Sequence, residues 1–169
     1  TPIKIIEDIL EKHNQQLAFE PTDFGPLFLG KKNEGTIGGV ISCNFSGPRR
    51  FKVGSARDHV LGFQGVNGKG DIIKSGGTVV KNVTGYDLSK LIAGSFGTLV
   101  VLTEITLKVL PKKNSSKTVI IYSSNFEQIY DLFNKLSSSS SEISGAVFIP
   151  EQSKYKDFAG KKNSVFKFN

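Results

Sequence analysis

The chain has 169 residues but no methionine and no tryptophan, a single cysteine and only two histidines. Each shortage removes a class of protein. One cysteine, Cys43, cannot close an internal disulfide and fits a reducing compartment. One cysteine and two histidines cannot build a four-ligand zinc centre without distant carboxylates, so no metal site is expected. No stretch approaches the roughly 18 uninterrupted apolar positions that a membrane span requires. The sequence opens on Thr1 with no charged-then-apolar leader, and the expectation is that something upstream is missing. The sequons at Asn44, Asn82 and Asn114 carry no weight without a secretory signal.

Named motifs are missing too. There is no G-x-x-x-x-G-K-[ST], and no G-x-G-x-x-G between a strand and a helix with an acid about 20 residues on, which excludes an obvious P-loop enzyme and an ordinary Rossmann binder. A Ser-His-Asp arrangement could use His59, yet no G-x-S-x-G elbow accompanies it. The net charge of +7 comes from scattered pairs, Lys31-Lys32, Arg49-Arg50, Lys112-Lys113 and Lys161-Lys162. With few aromatics between them, these fit solvated loops, an anionic ligand or an acidic partner better than nucleic acid.

What the chain does have is glycine. Gly35, Gly38, Gly39, Gly47 and Gly54 fall within GTIGGVISCNFSGPRRFKVGSARD, residues 35–58. Backbone amides there can approach a ligand where a side chain would block them, which suits a phosphate-bearing molecule. Around this stretch the spacing predicts regular elements. Thr1-Pro2 opens a helix on which Ile6, Ile9, Leu10, His13 and Leu17 recur, ending near residues 14–16. Thr36 to Cys43 reads as a helical turn packed by Ile37, Val40 and Ile41. Residues 59–74 read as a hairpin around Asn67-Gly68-Lys69-Gly70, and Tyr86 to Ala93 as a short helix stopped by Gly94. In the strand 98–110, Leu99, Val101, Thr103, Ile105, Leu107 and Val109 share one face. The polar run after Pro111 marks a domain boundary. Beyond it, a strand at 118–122, a helix capped around Ser124 to Glu127 with Phe126, Ile129, Tyr130 and Phe133 on one face, and a strand at 146–149 form a β-α-β unit. The run Ser137 to Ser141 is its flexible turn. No element is expected after Pro150.

The ordered pieces GTIGGVISCNFSGPRR, GSARDHVLG, KNVTGYDLSKLIAGSFGTL and VLTEITLKVLP resemble the vanillyl-alcohol-oxidase, or PCMH-type, FAD-binding fold, within the FAD-binding subunits of bacterial glycolate oxidases. The resemblance covers roughly residues 2 to 113. It implies an α+β fold: residues 1–113 as the second subdomain of a PCMH-type FAD-binding domain, mainly antiparallel sheet flanked by helices, and 117–169 as the start of a ferredoxin-like cap domain. It implies FAD as cofactor, with Thr36, Ile37, Gly38 and Gly39 running along the flavin and its pyrophosphate through backbone donors. Ser42, Asn44, Ser46 and Gly47 would close around it, Gly54 would precede the return into the sheet, Val101 would lie near the adenine side, and Pro21 would lead into the site.

The implied activity is oxidation of a small 2-hydroxy acid, glycolate to glyoxylate, with electrons passed onward. The implied partners are the main flavin subunit and the iron-sulfur subunit of the oxidase, and the implied location is the cytoplasm, attached to the inner membrane through the complex. No catalytic residue is identified. Two departures stand out: Val100 replaces a common glycine, and the subdomain carrying a second pyrophosphate loop is absent, so the chain alone is expected to be inactive. The alternative is a non-catalytic assembly subunit with a degenerate flavin site. Arg49-Arg50 read either as a solvated pair or as touching phosphate or an acidic partner. Asp58 and Glu104 read as structural acids, and Cys43 and Tyr86 as packing residues.

Overall fold

Apolar residues spaced three and four apart fold Ile3–Lys12 into α1, with Ile3, Ile6 and Leu10 turned toward the core. The structure, a computed structural model, describes residues 1–77, 86–122 and 125–150, and the backbone of 164–168. It forms two units, Thr1–Lys112 and Lys113–Asn169. After α1, the first unit runs through β1 (Gln15–Leu17), α2 (Gly25–Phe28), α3 (Ile37–Cys43), α4 (Arg50–Val53) and a 3-10 turn (Ala56–His59). It continues with β2 (Val60–Asn67), β3 (Ile72–Gly76), α5 (Leu88–Ile92), β4 (Val100–Leu107) and β5 (Val109–Pro111). This is the expected α+β fold, with antiparallel pairing throughout: a sheet in the order β3-β2-β4, and β1 against β5.

The helix stripe is rotated from its sequence reading. Ile9 and His13 are exposed, and Leu17 belongs to β1. His13 ends the helix with its N–H on the Leu10 carbonyl at 3.0 Å, and Asn14 then turns left-handed at φ 54°. Three apolar residues at 3, 6 and 10 already fill the contact, leaving Ile5 and Ile9 outside.

The hairpin forms as its turn chemistry requires. The Asn67 side-chain oxygen accepts the amides of Lys69 at 2.8 Å and Asp71 at 2.9 Å, and Gly70 takes φ 88°. Strand β4 breaks the expected alternation. Gln64 faces Glu104 but Gly65 faces Leu102, so Thr103 is an extra residue, a bulge that switches the inward face. Val100 and Leu102 therefore point inward on one side of the bulge, Ile105 and Leu107 on the other, and Val101 is 69% exposed. The bulged Thr103 hydroxyl donates to the Gln64 carbonyl at 3.1 Å. Beneath the sheet lies one core built from Phe19, Ile37, Val40, Ile41, Val60, Phe63, Ile92 and Val100.

Helix α5 starts at Asp87, whose carboxylate accepts the Lys90 amide at 3.2 Å, and stops at Gly94 with φ 90°. Tyr86 does not pack: it is 94% exposed, one residue before the cap of α5. The Val79-Val80 segment, residues 81–85 of the KNVTG motif and Ser124 lie outside the described residues.

In the second unit, β6 (Lys117–Ile121), α6 (Phe126–Ser137) and β7 (Ile143–Val147) appear in the expected order, the last strand three residues early. A strand β8 (Ser164–Phe168), not foreseen in the lysine-rich tail, lies between β6 and β7 and pairs antiparallel with both. Asn125, not Ser124, caps α6, accepting the Glu127 amide at 2.8 Å. Its inward face is Ile129, Leu132, Phe133 and Leu136, whereas Phe126 and Tyr130 are exposed. Aromatics sit on two sides of this helix, so spacing alone did not fix the face.

Gly76 sits at φ 74°, and a Cβ there would lie 2.1 Å from the Leu61 carbonyl oxygen across the sheet. Gly76→Ala should cost about 1–3 kcal/mol in denaturant unfolding. Gly68→Ala, whose Cβ meets nothing within 4 Å, should change stability by less than about 0.5 kcal/mol.

Candidate functional site

Helix α3 has two unlike faces. Ile37, Val40 and Ile41 are buried, which turns the Gly38-Gly39 pair outward. A Cβ on Gly38 would meet nothing within 4 Å, and Gly39 is exposed. Thr36 caps the helix, its hydroxyl oxygen accepting the Gly39 amide at 3.3 Å. A short bridge to the start of α1 holds the cap from behind, with the Ile37 amide on the Thr1 carbonyl at 3.1 Å and the Ile3 amide on the Gly35 carbonyl at 3.0 Å.

The chain leaves α3 through Asn44 in the left-handed conformation, φ 52°, and the next fifteen residues are tied by their own side chains. The Asn44 side-chain oxygen accepts the Arg57 amide at 2.9 Å, and the Ser46 hydroxyl oxygen accepts the Ala56 amide at 2.8 Å. Asp58 accepts both the amide and the hydroxyl of Ser55, at 2.7 and 2.9 Å, closing a capping box at the start of the 3-10 turn. Those hydrogen bonds, the Ser55 amide first, hold the Asp58 carboxyl below its ordinary range, and the nearby Lys90 charge adds to the effect. Lys90 reaches over from α5 to donate to the carbonyls of Arg57 at 2.8 Å and Val60 at 3.1 Å. On the other side, Glu20 accepts the Gly47 amide on its carbonyl at 3.1 Å and the Arg49 amide on its carboxylate at 3.0 Å.

The glycines of this loop are places of close approach. A Cβ on Gly47 would lie 2.5 Å from the Glu20 carboxylate, and one on Gly54, at φ 88°, 2.8 Å from that of Asp58. His59 is buried, donates Nε2–H to the Val53 carbonyl at 2.8 Å, and lies 5.5 Å from the Phe19 ring. Among the described residues the buried atoms without a hydrogen-bond partner are His59 Nδ1, Arg49 Nε and Ser89 Oγ. His59 is thus a core residue, and among the described residues no serine or carboxylate is hydrogen-bonded to its ring.

Beside α3 a groove of about 260 Å³ opens, with Thr36, Gly39, Val40 and Cys43 along one side and Phe24, Phe28 and Phe45 along the other. The Phe24 and Phe45 rings meet edge to face at 5.0 Å. Asp23 fixes the mouth: its carboxylate accepts the amides of Gly25 at 2.9 Å, Gly35 at 3.0 Å and Asn33 at 2.6 Å. The Gly25 amide leads the set of bonds that lowers its carboxyl from the ordinary value.

The residues the sequence pointed to are thus distributed unequally. Thr36 and Gly39 line the groove, and Gly38 adjoins Gly39 on the helix. Ile37 is buried and its amide is engaged. Ser42 is half-buried, with its carbonyl accepting the Phe96 amide at 2.8 Å. Asn44, Ser46, Gly47 and Gly54 belong to the tied loop, Pro21 is half-buried just after Glu20, and Val101 lies on the outward face of β4. Val100 faces the core, where Gly65 makes room for it: a Cβ on Gly65 would lie 2.6 Å from Val100 Cγ2. Asp58 is a structural acid as expected. The sequence reading passed over Asp23, Phe24 and Phe45, although Asp-x-Gly and Ser-x-x-Asp are visible signals for an Asx turn and a capping box.

A two-faced glycine helix beside an aromatic groove, on an antiparallel sheet, defines a wall suited to a flat, partly anionic cofactor. Residues 2–76 match the family of the FAD binding domain. The chain is 47% identical over 116 residues to glycolate oxidase subunit GlcE of Escherichia coli, covering 69% of this chain and 31% of that one. It is 38% identical over 156 residues to glycolate oxidase subunit GlcD of Bacillus subtilis, covering 92% and 31%. The fold matches that of an alkyldihydroxyacetonephosphate synthase with a TM-score of 0.72 at 21% identity, over 96% of this chain and 32% of the other. The chain belongs to the FAD-linked oxidase family of the PCMH type, and FAD is its cofactor. It spans about a third of the length of the curated relatives it matches.

The depressed carboxyls of Asp23 and Asp58 predict an acid limit. A group whose folded pKa lies below its unfolded value stabilises the fold above the unfolded pKa and loses that contribution as pH falls through the folded one. Both carboxyls start from a reference of 3.8, so stability should fall as pH drops below about 4. In Asp58→Asn the pH dependence of the melting temperature across that range should be shallower than in the parent.

Proposed function

We propose that this chain supplies one wall of the flavin site in an FAD-binding subunit of a 2-hydroxy-acid oxidase, oxidising glycolate to glyoxylate. The observation that carries the reading is the outward Gly38-Gly39 backbone of α3 beside the aromatic groove. Bound FAD would accept the hydride equivalent from the hydroxy acid and release electrons to a further acceptor. The chain's own residues position that group. Phe24, Phe28 and Phe45 exclude water along one side, and the bare helix backbone allows a flat ring to lie close to the other. Asn44 and Ser46 are each anchored through an acceptor oxygen, which leaves the Asn44 amide hydrogens and the Ser46 hydroxyl hydrogen to donate. Donors held in place suit an anion such as a pyrophosphate.

Thr36, Ile37, Gly38, Gly39, Ser42, Asn44, Ser46, Gly47, Gly54, Val101 and Pro21 remain the proposed cofactor contacts, with residues 1–113 as the FAD-binding portion and 117–169 as part of a cap domain. The names of the relatives, two differently lettered subunits of glycolate oxidase, support a multi-subunit assembly. Within it we assign the chain to work beside the main flavin subunit and an iron-sulfur subunit, in the cytoplasm. The competing assembly-subunit reading drew on Val100 and on the missing second loop, and the inward packing of Val100 against Gly65 weakens the first of these motives.

The test uses Gly38→Leu in the full-length protein purified with its partners. A leucine in this open helix position raises helix propensity by up to about 1 kcal/mol, so the melting temperature of the flavin-free protein should hold or rise. FAD content should nevertheless fall at least tenfold, read from visible absorbance. Full flavin content in the variant, or a parent protein that takes up no FAD, would contradict the assignment.

A further inference from the structure

Of the buried polar atoms without a hydrogen-bond partner among the described residues, two belong to His59 and Ser89, whose side chains can sit in a core uncharged. The third is Arg49 Nε, and a guanidinium keeps its charge whatever surrounds it. A buried cationic donor with nothing to donate to is costly, and such an atom calls for an acceptor from outside the chain. Arg50, one residue on, is exposed and has the water that Arg49 Nε lacks. The two arginines are therefore not equivalent.

The local acids are already engaged elsewhere. Glu20 takes the Arg49 backbone amide on its carboxylate at 3.0 Å, and among the described residues no carboxylate stands within ion-pair distance of the guanidinium. Asp58 is held by the amide and hydroxyl of Ser55. Residues 44–58 carry four cations, Arg49, Arg50, Lys52 and Arg57, against that single acid. The root of the Arg49 side chain is meanwhile fixed on both sides. Its carbonyl accepts the amides of Lys52 at 2.9 Å and Val53 at 3.0 Å, while Glu20 holds its amide.

FAD, the cofactor of the family, is anionic at its diphosphate, and the same loop keeps the Asn44 amide hydrogens and the Ser46 hydroxyl hydrogen free to donate. We propose that Arg49 is the cation that meets this diphosphate and makes the site select a phosphate-bearing flavin over an uncharged one. This rests on the flavin reading above. Guanidinium donors pair with phosphate oxygens in a planar fork, so a bound diphosphate would supply the acceptor that Nε lacks.

The test titrates the full-length protein, purified with its partners and stripped of flavin, with FAD and with riboflavin, which has no phosphate. Binding is read from flavin fluorescence. In Arg49→Gln the affinity for FAD should fall about tenfold or more, while that for riboflavin should change less than about twofold. The FAD affinity of this variant should also respond less to added salt. Arg49→Lys keeps the charge and should recover part of the loss, and Arg50→Gln should bind both flavins as the parent does. Removing an unpaired buried charge should not lower the melting temperature of the flavin-free protein. Inorganic pyrophosphate should compete with FAD in the parent, a measurement independent of how any variant folds. The inference is overturned if Arg49→Gln binds FAD as tightly as the parent, if the lysine variant recovers nothing, or if pyrophosphate does not compete. Equal losses of FAD and riboflavin in Arg49→Gln would also overturn it, making Arg49 a support of the loop. A parent that takes up no FAD would instead bring down the flavin reading, and this inference with it.

Discussion

A backbone can be offered to a ligand only where the amides around it are already satisfied, and the glycine-rich stretch from Gly35 to Asp58 is arranged around that constraint. The satisfaction comes partly from its own short polar side chains and partly from Thr1 and Glu20. Thr36 takes the amide of Gly39, the Thr1 carbonyl takes that of Ile37, and Glu20 takes those of Gly47 and Arg49. Asn44, Ser46 and Asp58 take the amides of Arg57, Ala56 and Ser55 at the start of the 3-10 turn. The loop is thereby tied to β1's exit, to α5 through Lys90, and to the first residues of β2. Replacing any of these oxygens would leave an amide to find water, and the loop would lose the geometry that exposes Gly38.

The sheet answers the same demand by different means. Gly65 brings β2 so close to β4 that a Cβ would strike both Val100 Cγ2 and the Val101 carbonyl, each at 2.6 Å. The Val100 side chain fills the space that a second side chain would otherwise contest. One extra residue, Thr103, then resets the alternation so that Ile105 and Leu107 also face the core. Without the bulge, Val100 and Leu102 could not share a face with Ile105, and the core under α3 and α5 would lose part of its floor.

Much of this was readable in the sequence, for reasons that are local. The β2-β3 hairpin follows from an Asn whose side chain can cap its own turn, α3 from a Thr followed by apolar residues at the right spacing, and the end of α5 from Gly94. The misreadings are non-local. The bulge at Thr103 depends on how two strands register, which no single strand's pattern records, and it turned Val101 and Leu99 outward against the alternation. The inward face of α6 was ambiguous because Phe126 and Tyr130 compete with Leu132 and Leu136 for the apolar side. Strand β8 escaped because a central strand inside a polar, lysine-rich tail is specified by its two neighbours rather than by its own composition. At the site, the glycines were legible as bare backbone. The aromatic groove was not, because Phe24 and Phe45 lie 21 positions apart and meet only after Asp23 and α3 bring their segments together.

The division of labour in the site follows from which atoms are already spent. Asn44 and Ser46 are anchored through their oxygens, so what they can still give is hydrogen, which suits a ligand rich in acceptors. The groove beside α3 has phenylalanines on one side and residues of α3 on the other, which suits a flat apolar body. On the flavin reading proposed above, a molecule answering both descriptions carries an anionic end and an aromatic end on one flexible frame. FAD has that form. Because the donors are fixed by the loop's internal bonds, a cofactor bound as proposed would meet groups already in place, and less binding energy would go into ordering them.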